Sequence, residues 1–439
     1  MKKNLFTALL LGLLCQVTLA QSFDKAKLDS YFDALEANNK FMGSVAVSKD
    51  GKIIYSRSLG FIDFENKIKA DANSKYRIGS ISKTFTAVLV LKAVEEKLLD
   101  LNQTIEIYFP SVKNAEKITL KHLLSHRSGI HNFTDDPDYL TWNTKAKTEK
   151  EMLAIIAAAG SDFEPNSKAQ YSNSNYVLLS YILEKSFKKA YAELLQTYIT
   201  KPLGLKNTYF GGKINTANNE SRSYTLGETW QEAPETDMSV PLGAGGIVST
   251  PGDLVTFSDA LFGGKLLKPE SLSLMKTIKD QYGIGLFQFP FYDNKGYGHT
   301  GGIDGFSSVF TYFPDGSVSY ALTSNGTNYN NNNISIAVLS AVYNKPYDIP
   351  EFLSFDVSPE ALDNYVGTYV SEQVPLKITI SKNKLALMAQ ATGQAAFPLE
   401  ATAKDKFKFE QAGIEMEFNP DENTMLLRQG GTLFTFKKE

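Results

Sequence analysis

Near both ends of its first 345 positions, the chain has short runs rich in apolar, β-forming residues that are joined by polar turns. Two pairs of such runs, each joined by a turn containing Asp-Gly, are residues 42–47 with 52–57, and residues 306–313 with 318–323. Two β-type runs around a short Asp-Gly turn are typical of β-hairpins. The pattern therefore predicts two antiparallel hairpins.

Elsewhere in this region apolar residues recur every three or four positions, which indicates helices. The clearest cases are residues 85–94, 118–124, 149–159, 175–185 and 334–343. Another helix should begin near Thr250-Pro251, where a hydroxyl cap, a proline and Asp253 follow one another. Strands at both ends with helices between predict an α+β fold, an antiparallel sheet flanked by helices with an inserted, mostly helical subdomain.

A change of period marks a second region. Residues 345–359 contain three prolines and show neither a helical period nor an apolar–polar alternation, which favours a linker. Beyond them, short runs alternate apolar with polar, as in Ile414-Glu415-Met416-Glu417-Phe418, and this predicts a small all-β barrel or sandwich. The predicted division is a main domain of residues 21–345, a linker of 346–361 and a C-terminal domain of 362–439.

The N-terminus predicts export. Lys2 and Lys3 precede an apolar run at residues 5–14, and Thr18-Leu19-Ala20 offers a small-residue cleavage site before Gln21. We therefore expect residues 1–20 to be a signal peptide and the protein to be periplasmic. The sequence has one cysteine, Cys15, inside that segment, so the mature chain would hold no disulfide.

Charge narrows the class of partner. With 45 Lys and Arg against 48 Asp and Glu, the formal net charge is −3, and no basic block stands out. Nucleic acid is therefore not expected as a partner. Lys92 interrupts the best later apolar run, so we expect no stable membrane insertion after signal removal.

The first candidate for chemistry is Ser80-Ile81-Ser82-Lys83, at the start of a predicted helix. Residues at i and i+3 share a helix face, so the Lys83 amine can reach the Ser80 hydroxyl and act as its base. An ordinary lysine has a pKa near ~10.4, so only about 1 amine in ~2,500 is neutral at pH 7, and burial or a neighbouring cation must lower that pKa. The alternative is a helix-capping serine beside a solvated lysine.

Tyr171-Ser172-Asn173 stands just before another predicted helix. Its default role is a polar cap with aromatic packing. The Tyr171 phenol near a serine and a lysine could also act as an acid or base, and the Asn173 amide could bind a substrate carbonyl. The two roles are compatible.

His299-Thr300-Gly301-Gly302 enters a predicted strand with little side-chain bulk. Glycines let a substrate approach the backbone closely, and the Gly302 N–H could pair with the Ser80 N–H as an oxyanion hole. The alternative is a glycine-rich turn with a solvated histidine.

His122 and His126 are four residues apart, a spacing that can bind a metal on one helix face. The segment lacks the glutamate of the zinc-protease motif, so packing or capping is the favoured interpretation.

Taken together and in order, Ser80-Ile81-Ser82-Lys83, Tyr171-Ser172-Asn173 and His299-Thr300-Gly301 resemble three motifs of one serine hydrolase family: S-x-x-K, Y-x-N and K-T-G or H-T-G. This family includes class C β-lactamases, D-alanyl-D-alanine carboxypeptidases, and related esterases and D-aminopeptidases. Residues 120–130 and 243–253 resemble further segments of the family. The resemblance covers about residues 42–343, and residues 362–369 are similar to the start of a lipocalin-like domain often attached to these enzymes.

The resemblance implies a β-lactamase/transpeptidase-like fold and a covalent acyl-enzyme on Ser80. Lys83 and Tyr171 would be the acid/base pair, and Asn173 would bind the acyl amide of the substrate. The other substrate-binding residues would be His299, Thr300, Gly301 and Gly302. No cofactor or metal is implied. The substrate would be a small molecule or peptide, with cell-wall fragments as one source, attacked at an ester, a D-peptide amide or a β-lactam-like bond.

Two points stay open at the level of sequence. His299 stands where many β-lactamases carry lysine, and a neutral histidine offers no fixed cation to a substrate carboxylate. A penicillin-binding sensor or wall-binding protein that acylates without turnover is the alternative function.

Overall fold

The computed structural model describes residues 24–227, 229–352, 355–383 and 386–439. The predicted signal peptide, residues 1–20, lies outside the described residues, so export stays a prediction. Inside these ranges, no helix is both long and apolar enough to cross a membrane.

Most of the helices of the described ranges are short. In chain order they are α1 (Lys25–Ala37), α2 (Ser82–Glu95), α3 (Leu120–Leu124), α4 (Tyr139–Trp142), α5 (Glu149–Ala159), α6 (Asn173–Phe187), α7 (Tyr191–Leu195), α8 (Lys201–Leu203), α9 (Pro251–Phe262), α10 (Pro269–Met275), α11 (Asn331–Val342) and α12 (Pro359–Leu362).

The strands fall into a main group and a C-terminal group. The main group is β1 (Phe41–Lys49), β2 (Lys52–Leu59), β3 (Phe61–Asp63), β4 (Ile68–Lys69), β5 (Tyr76–Arg77), β6 (Tyr209–Phe210), β7 (Tyr224–Leu226), β8 (Trp230–Glu232), β9 (Ile247–Ser249), β10 (Phe287–Phe291), β11 (Asn294–Ile303), β12 (Phe306–Phe313) and β13 (Val318–Thr327). The C-terminal group is β14 (Gly367–Val370), β15 (Lys377–Asn383), β16 (Ala386–Ala391), β17 (Phe397–Ala403), β18 (Lys406–Phe409), β19 (Ile414–Asn419), β20 (Thr424–Gln429) and β21 (Thr432–Lys438).

Among the described residues, six strands form the central antiparallel sheet in the order β10-β11-β12-β13-β1-β2. The β1–β2 and β12–β13 pairs are the two hairpins that the sequence predicts. Strand β10 pairs with β11 only along residues 294–298. Residues 299–303 of β11 are therefore not paired with β10, and they lie next to the turn that carries Ser80.

Helices cover both faces of this sheet, as predicted. On one face α1 and α11 pack against β1 and β13 through residues such as Phe32 and Val338. On the other face lie α2 and α9, whose Phe85 and Phe257 rings stack 3.8 Å apart, and Phe257 also packs against Phe310 of β12. Because α2 is buried on nearly all sides, Lys83 in its first turn is removed from water.

The C-terminal strands β14 to β21 close into a barrel within the described ranges, which decides between the barrel and sandwich that the pattern allowed. Strand β19 shows the alternation directly, with Ile414, Met416 and Phe418 inside and Glu415 and Glu417 outside. The arrangement is consistent with the expected lipocalin-like domain.

The barrel rests on the main domain through a small polar contact. Lys40 is 5% exposed, and its Nζ lies 2.5 Å from Glu400 Oε2 of β17. Asn328 Nδ2 donates to the other oxygen of the same carboxylate at 2.6 Å. In the connecting segment, Phe352 packs against Tyr329 with ring centroids 5.7 Å apart. The predicted domain limits stay a prediction.

Candidate active site

Ser80 lies in a short 3-10 turn, Gly79–Ile81, that leads directly into α2. The sequence predicted the first turn of the helix itself, and the structure places the serine one step earlier. Gly79 has φ +50°, and a Cβ at this position would lie 2.8 Å from Gly302 N. Only glycine allows the turn to approach β11 so closely.

The Lys83 amine lies 2.9 Å from Ser80 Oγ, as the i, i+3 spacing predicts. It donates to Asn173 Oδ1 at 2.7 Å and to the Ala244 carbonyl at 2.8 Å. A neutral amine has two hydrogens and one lone pair. In the neutral form the two neutral acceptors would take the hydrogens, which leaves the lone pair for the Ser80 hydroxyl.

The surroundings of Lys83 favour this uncharged form. Its side chain is fully buried, and burial holds the pKa of the amine well below its usual value. Within the described residues, the hydrogen-bond partners of the amine are a hydroxyl, an amide and a carbonyl, and none of them is a carboxylate. These surroundings suit the neutral amine that a general base requires, and the catalytic role of Lys83 stays a prediction.

Tyr171 lies just before α6, with its hydroxyl near the Ser80 side chain. Lys83 Nζ lies 4.8 Å from the centre of its ring. Burial raises the pKa of Tyr171, so the phenol keeps its proton. The arrangement brings the buried Lys83 amine and a protonated phenol close to one serine.

Asn173 begins α6 and contacts both the lysine and the cavity wall. Beyond accepting from Lys83, it donates through Nδ2 to Thr134 Oγ1 at 3.0 Å, and its backbone N–H donates to Asn132 Oδ1 at 2.8 Å. Both ends of the amide thus have protein partners. Its contact with a substrate amide stays a prediction.

The His299 ring is 2% exposed, unlike the solvated histidine of the alternative interpretation. It packs against Phe287 with ring centroids 4.4 Å apart and lies 6.5 Å from the Tyr171 ring. Burial lowers the pKa of His299 to about 3, so the ring is neutral at physiological pH. Its Nδ1 lies 2.5 Å from the Thr300 carbonyl.

Gly301 and Gly302 pack against the turn that carries Ser80. A Cβ on Gly301 would lie 2.0 Å from the Ile78 carbonyl, so no larger residue fits there. Thr300, one position earlier on β11, is exposed. Gly302 and Ser80 line the same cavity, which is where an oxyanion hole formed by their N–H groups would lie.

This cavity has a volume of about 410 Å³ and extends the site beyond the predicted residues. One wall comes from residues that no period singled out: Phe133, Thr134, Tyr139 and Leu140. Thr236 and Asp304 form part of the other wall. Among the described residues that line it there is no lysine or arginine.

The two histidines considered for a metal do not share a helix face, so that premise is wrong. His122 caps α3, its Nδ1 accepting from Thr119 N at 3.3 Å. His126 follows the end of α3 with φ +56°, and its Nδ1 accepts from Ser172 N at 3.2 Å. Its ring stacks on Tyr171 at 4.5 Å, so it supports the site by packing. No cluster of potential metal ligands occurs within the described ranges.

Comparison with known proteins places this geometry in context. A family model described as "Beta-lactamase" matches residues 28–344. Penicillin-binding protein 4* of Bacillus subtilis is 27% identical over 90% of this chain and 94% of its own length. A teichoic acid D-alanine hydrolase of Staphylococcus aureus is 29% identical over 65% of this chain and 70% of its own. The crystal structure of a D-amino acid amidase from Ochrobactrum anthropi superposes with a TM-score of 0.64 and 26% identity, over 72% of this chain and 98% of that one.

Proposed function

This chain belongs to the β-lactamase family and is a serine hydrolase, and from that premise we propose that it is an exported enzyme that hydrolyses D-aminoacyl esters and amides through an acyl-enzyme on Ser80. The observation that carries the proposal is the fully buried Lys83 amine, which lies 2.9 Å from Ser80 Oγ and donates to two neutral acceptors.

Acylation begins when Lys83 accepts the Ser80 hydroxyl proton and Oγ forms a bond to the substrate carbonyl carbon. The carbonyl π electrons move onto oxygen, where the N–H groups of Ser80 and Gly302 stabilise the charge. When the carbonyl re-forms, the bond to the leaving group breaks and its electron pair leaves with it. The proton returns from Lys83, relayed by the Tyr171 hydroxyl, to the leaving oxygen or nitrogen.

Deacylation uses the same groups with water as the nucleophile. Lys83 takes a proton from water as the water oxygen forms a bond to the acyl carbon. The bond between that carbon and Ser80 Oγ then breaks, and Oγ regains the proton from Lys83. The product is a free acid, and the enzyme returns to its starting state.

The choice of substrate class rests on the charge of the site and on the relatives. His299 is neutral, and the described cavity lining holds no lysine or arginine, so a substrate carboxylate would find no fixed cation. The names of two relatives specify D-alanine and D-amino acid amide chemistry. Together these favour D-configured acyl donors without a carboxylate over β-lactams.

We expect the native protein to use a neutral p-nitrophenyl ester roughly 10- to 150-fold better than a matched ester bearing a carboxylate, since a missing charge-assisted contact is worth about 1.5–3 kcal/mol. His299→Lys should recover part of the difference by adding a cation. Because position 299 is buried beside Phe287, the gain in kcat/KM for the carboxylate ester should be small. The measurement is kcat/KM for both esters, a D-alanyl peptide and a chromogenic cephalosporin.

His299→Gln is the matched control, because it replaces the imidazole with a neutral side chain and should not improve use of the carboxylate ester. A kcat/KM of about 10⁶ M⁻¹s⁻¹ or more for the cephalosporin in the native protein would contradict the proposal and indicate a working β-lactamase. Acylation that stops after one equivalent with every substrate would instead support the penicillin-binding alternative.

The barrel is expected to be dispensable for small substrates, because no described residue beyond position 304 lines the catalytic cavity. A protein ending at Pro359 should fold and keep kcat/KM for a small ester within roughly threefold of the full chain, a change below 1 kcal/mol. Circular dichroism and ester kinetics measure the two properties.

Full-length Glu400→Gln is the control for this truncation, since it weakens the Lys40 contact while leaving the barrel in place. An insoluble truncated protein would contradict the predicted domain division. A folded but inert one would mean that the barrel completes the site.

A further inference from the structure

A buried ion pair joins the two chain segments that carry the proposed oxyanion donors. Arg77 ends β5, three residues before Ser80, and Asp304 lies in the turn after β11, two residues beyond Gly302. Arg77 Nη1 donates to Asp304 Oδ2 at 3.0 Å, and the two side chains are only 2% and 3% exposed. The pair therefore lies at the wall of the cavity, where Asp304 contributes to the lining, and both side chains are almost fully removed from water.

Further hydrogen bonds fix both partners in place. Arg77 also donates to the carbonyls of Thr236 at 2.8 Å and Gly212 at 2.9 Å, and to Glu235 Oε1 at 2.6 Å. Asp304 Oδ1 accepts from the Thr236 N–H at 3.1 Å and from its hydroxyl at 2.6 Å. Each oxygen of the carboxylate is bonded, so the β11–β12 turn has little freedom to shift relative to Arg77.

Between the ion pair and the site, the two segments meet backbone to backbone. A Cβ on Gly301 would lie 2.0 Å from the Ile78 carbonyl, and one on Gly79 would lie 2.8 Å from Gly302 N. The Ser308 hydroxyl adds a bond to the Ile78 carbonyl at 2.9 Å. With no side chain as a spacer, the separation of the segments depends on the groups that tie their ends together.

We propose that Arg77 and Asp304 are positioning residues that set the distance between the N–H groups of Ser80 and Gly302. This inference rests on the proposed acyl-enzyme chemistry. Preorganised donors stabilise a developing oxyanion only while both point at the place it will occupy, so a small shift of one donor weakens the transition state. A buried ion pair adds little stability by comparison with apolar packing, which leaves positioning as its distinctive contribution.

The test is Asp304→Asn, which keeps the shape of the side chain and removes its charge. We expect kcat for a p-nitrophenyl ester to fall about 10- to 100-fold with KM within about twofold, because the donors act mainly on the tetrahedral state. The affinity for a boronic acid that forms a tetrahedral adduct with Ser80 should fall by a similar factor. Arg77→Lys should change both quantities in the same direction, and it replaces Asp304→Asn if that variant does not fold.

Glu235→Gln is the matched control, because Glu235 contacts the same guanidinium but is not part of the turn after Gly302. It should lower the melting temperature while kcat stays within about threefold. Equal losses of kcat in Glu235→Gln and Asp304→Asn would overturn the inference in favour of general destabilisation. A folded Asp304→Asn protein with native kcat and boronate affinity would overturn it as well.

The same measurements separate this inference from the proposed function. A native protein that neither hydrolyses the ester nor forms a Ser80 adduct would overturn the acyl-enzyme proposal, and the positioning role with it. An active native protein whose Asp304→Asn and Arg77→Lys variants are equally active would overturn the positioning role alone.

Discussion

Ser80→Ala is expected to abolish covalent labelling by a fluorophosphonate and all detectable ester turnover. The buried amine of Lys83 faces this one hydroxyl, and the mature chain would contain no cysteine to replace it. Intact mass after labelling and steady-state ester hydrolysis are the two measurements. Adduct formation at native rate in Ser80→Ala would mean that another residue is the nucleophile.

The chain itself supplies the control for this experiment, because Ser186 and Lys189 have the same S-x-x-K spacing. Here Lys189 is exposed and lies 2.6 Å from Glu193, whose hydrogen bond raises the pKa of the amine. The Ser186 hydroxyl donates to the Ile182 carbonyl at 2.7 Å. Ser186→Ala should therefore leave labelling and turnover unchanged.

Lys83→Met is expected to slow acylation on the order of 10²–10⁴-fold, the usual size of a general-base contribution. Pre-steady-state release of p-nitrophenol measures it directly. In the native protein the acid limb of kcat/KM against pH should lie well below the ~10.4 of free lysine. Tyr171→Phe should keep that limb, because the titrating group is Lys83. A Lys83 variant with near-native acylation would contradict the assignment.

The same variant should change how stability depends on pH. In the folded protein Lys83 has a depressed pKa and is neutral, whereas in the unfolded chain it is protonated below about 10.4. Between the depressed pKa of the folded protein and about 10.4, the unfolded state therefore binds more protons than the folded state. Across that pH range the free energy of unfolding of the native protein rises with pH. Lys83→Met should be more stable than native at neutral pH, with a flatter dependence. Denaturant unfolding at several pH values measures both.

Elements with local causes could be predicted from the amino-acid sequence alone. The Asp50-Gly51 turn joins β1 to β2, and Thr250 caps α9 by accepting from the Asp253 N–H at 3.1 Å. The alternation in residues 414–418 gave a strand of the barrel. The approach of Lys83 to Ser80 was also predictable, since it follows from three residues of one helical turn.

Tertiary structure decided which of the S-x-x-K sites can be active. The spacing at Ser80 and at Ser186 is identical, yet one lysine is buried among neutral acceptors and the other is paired with Glu193 in water. Burial depends on where the rest of the chain packs, which a four-residue motif does not encode. The backbone turn at His126, which removes it from the face of His122, is a similar case.

The cavity and its support were likewise beyond the sequence pattern. Its wall at residues 133–140 has no period, because short irregular segments are held by contacts rather than by propensity. For Arg77 and Asp304 the sequence offered one signal each. Arg77 is a charged residue three positions before Ser80, and Asp304 is one two positions after Gly302. Their contact joins positions 227 residues apart, and only the fold of the intervening chain brings them to 3.0 Å.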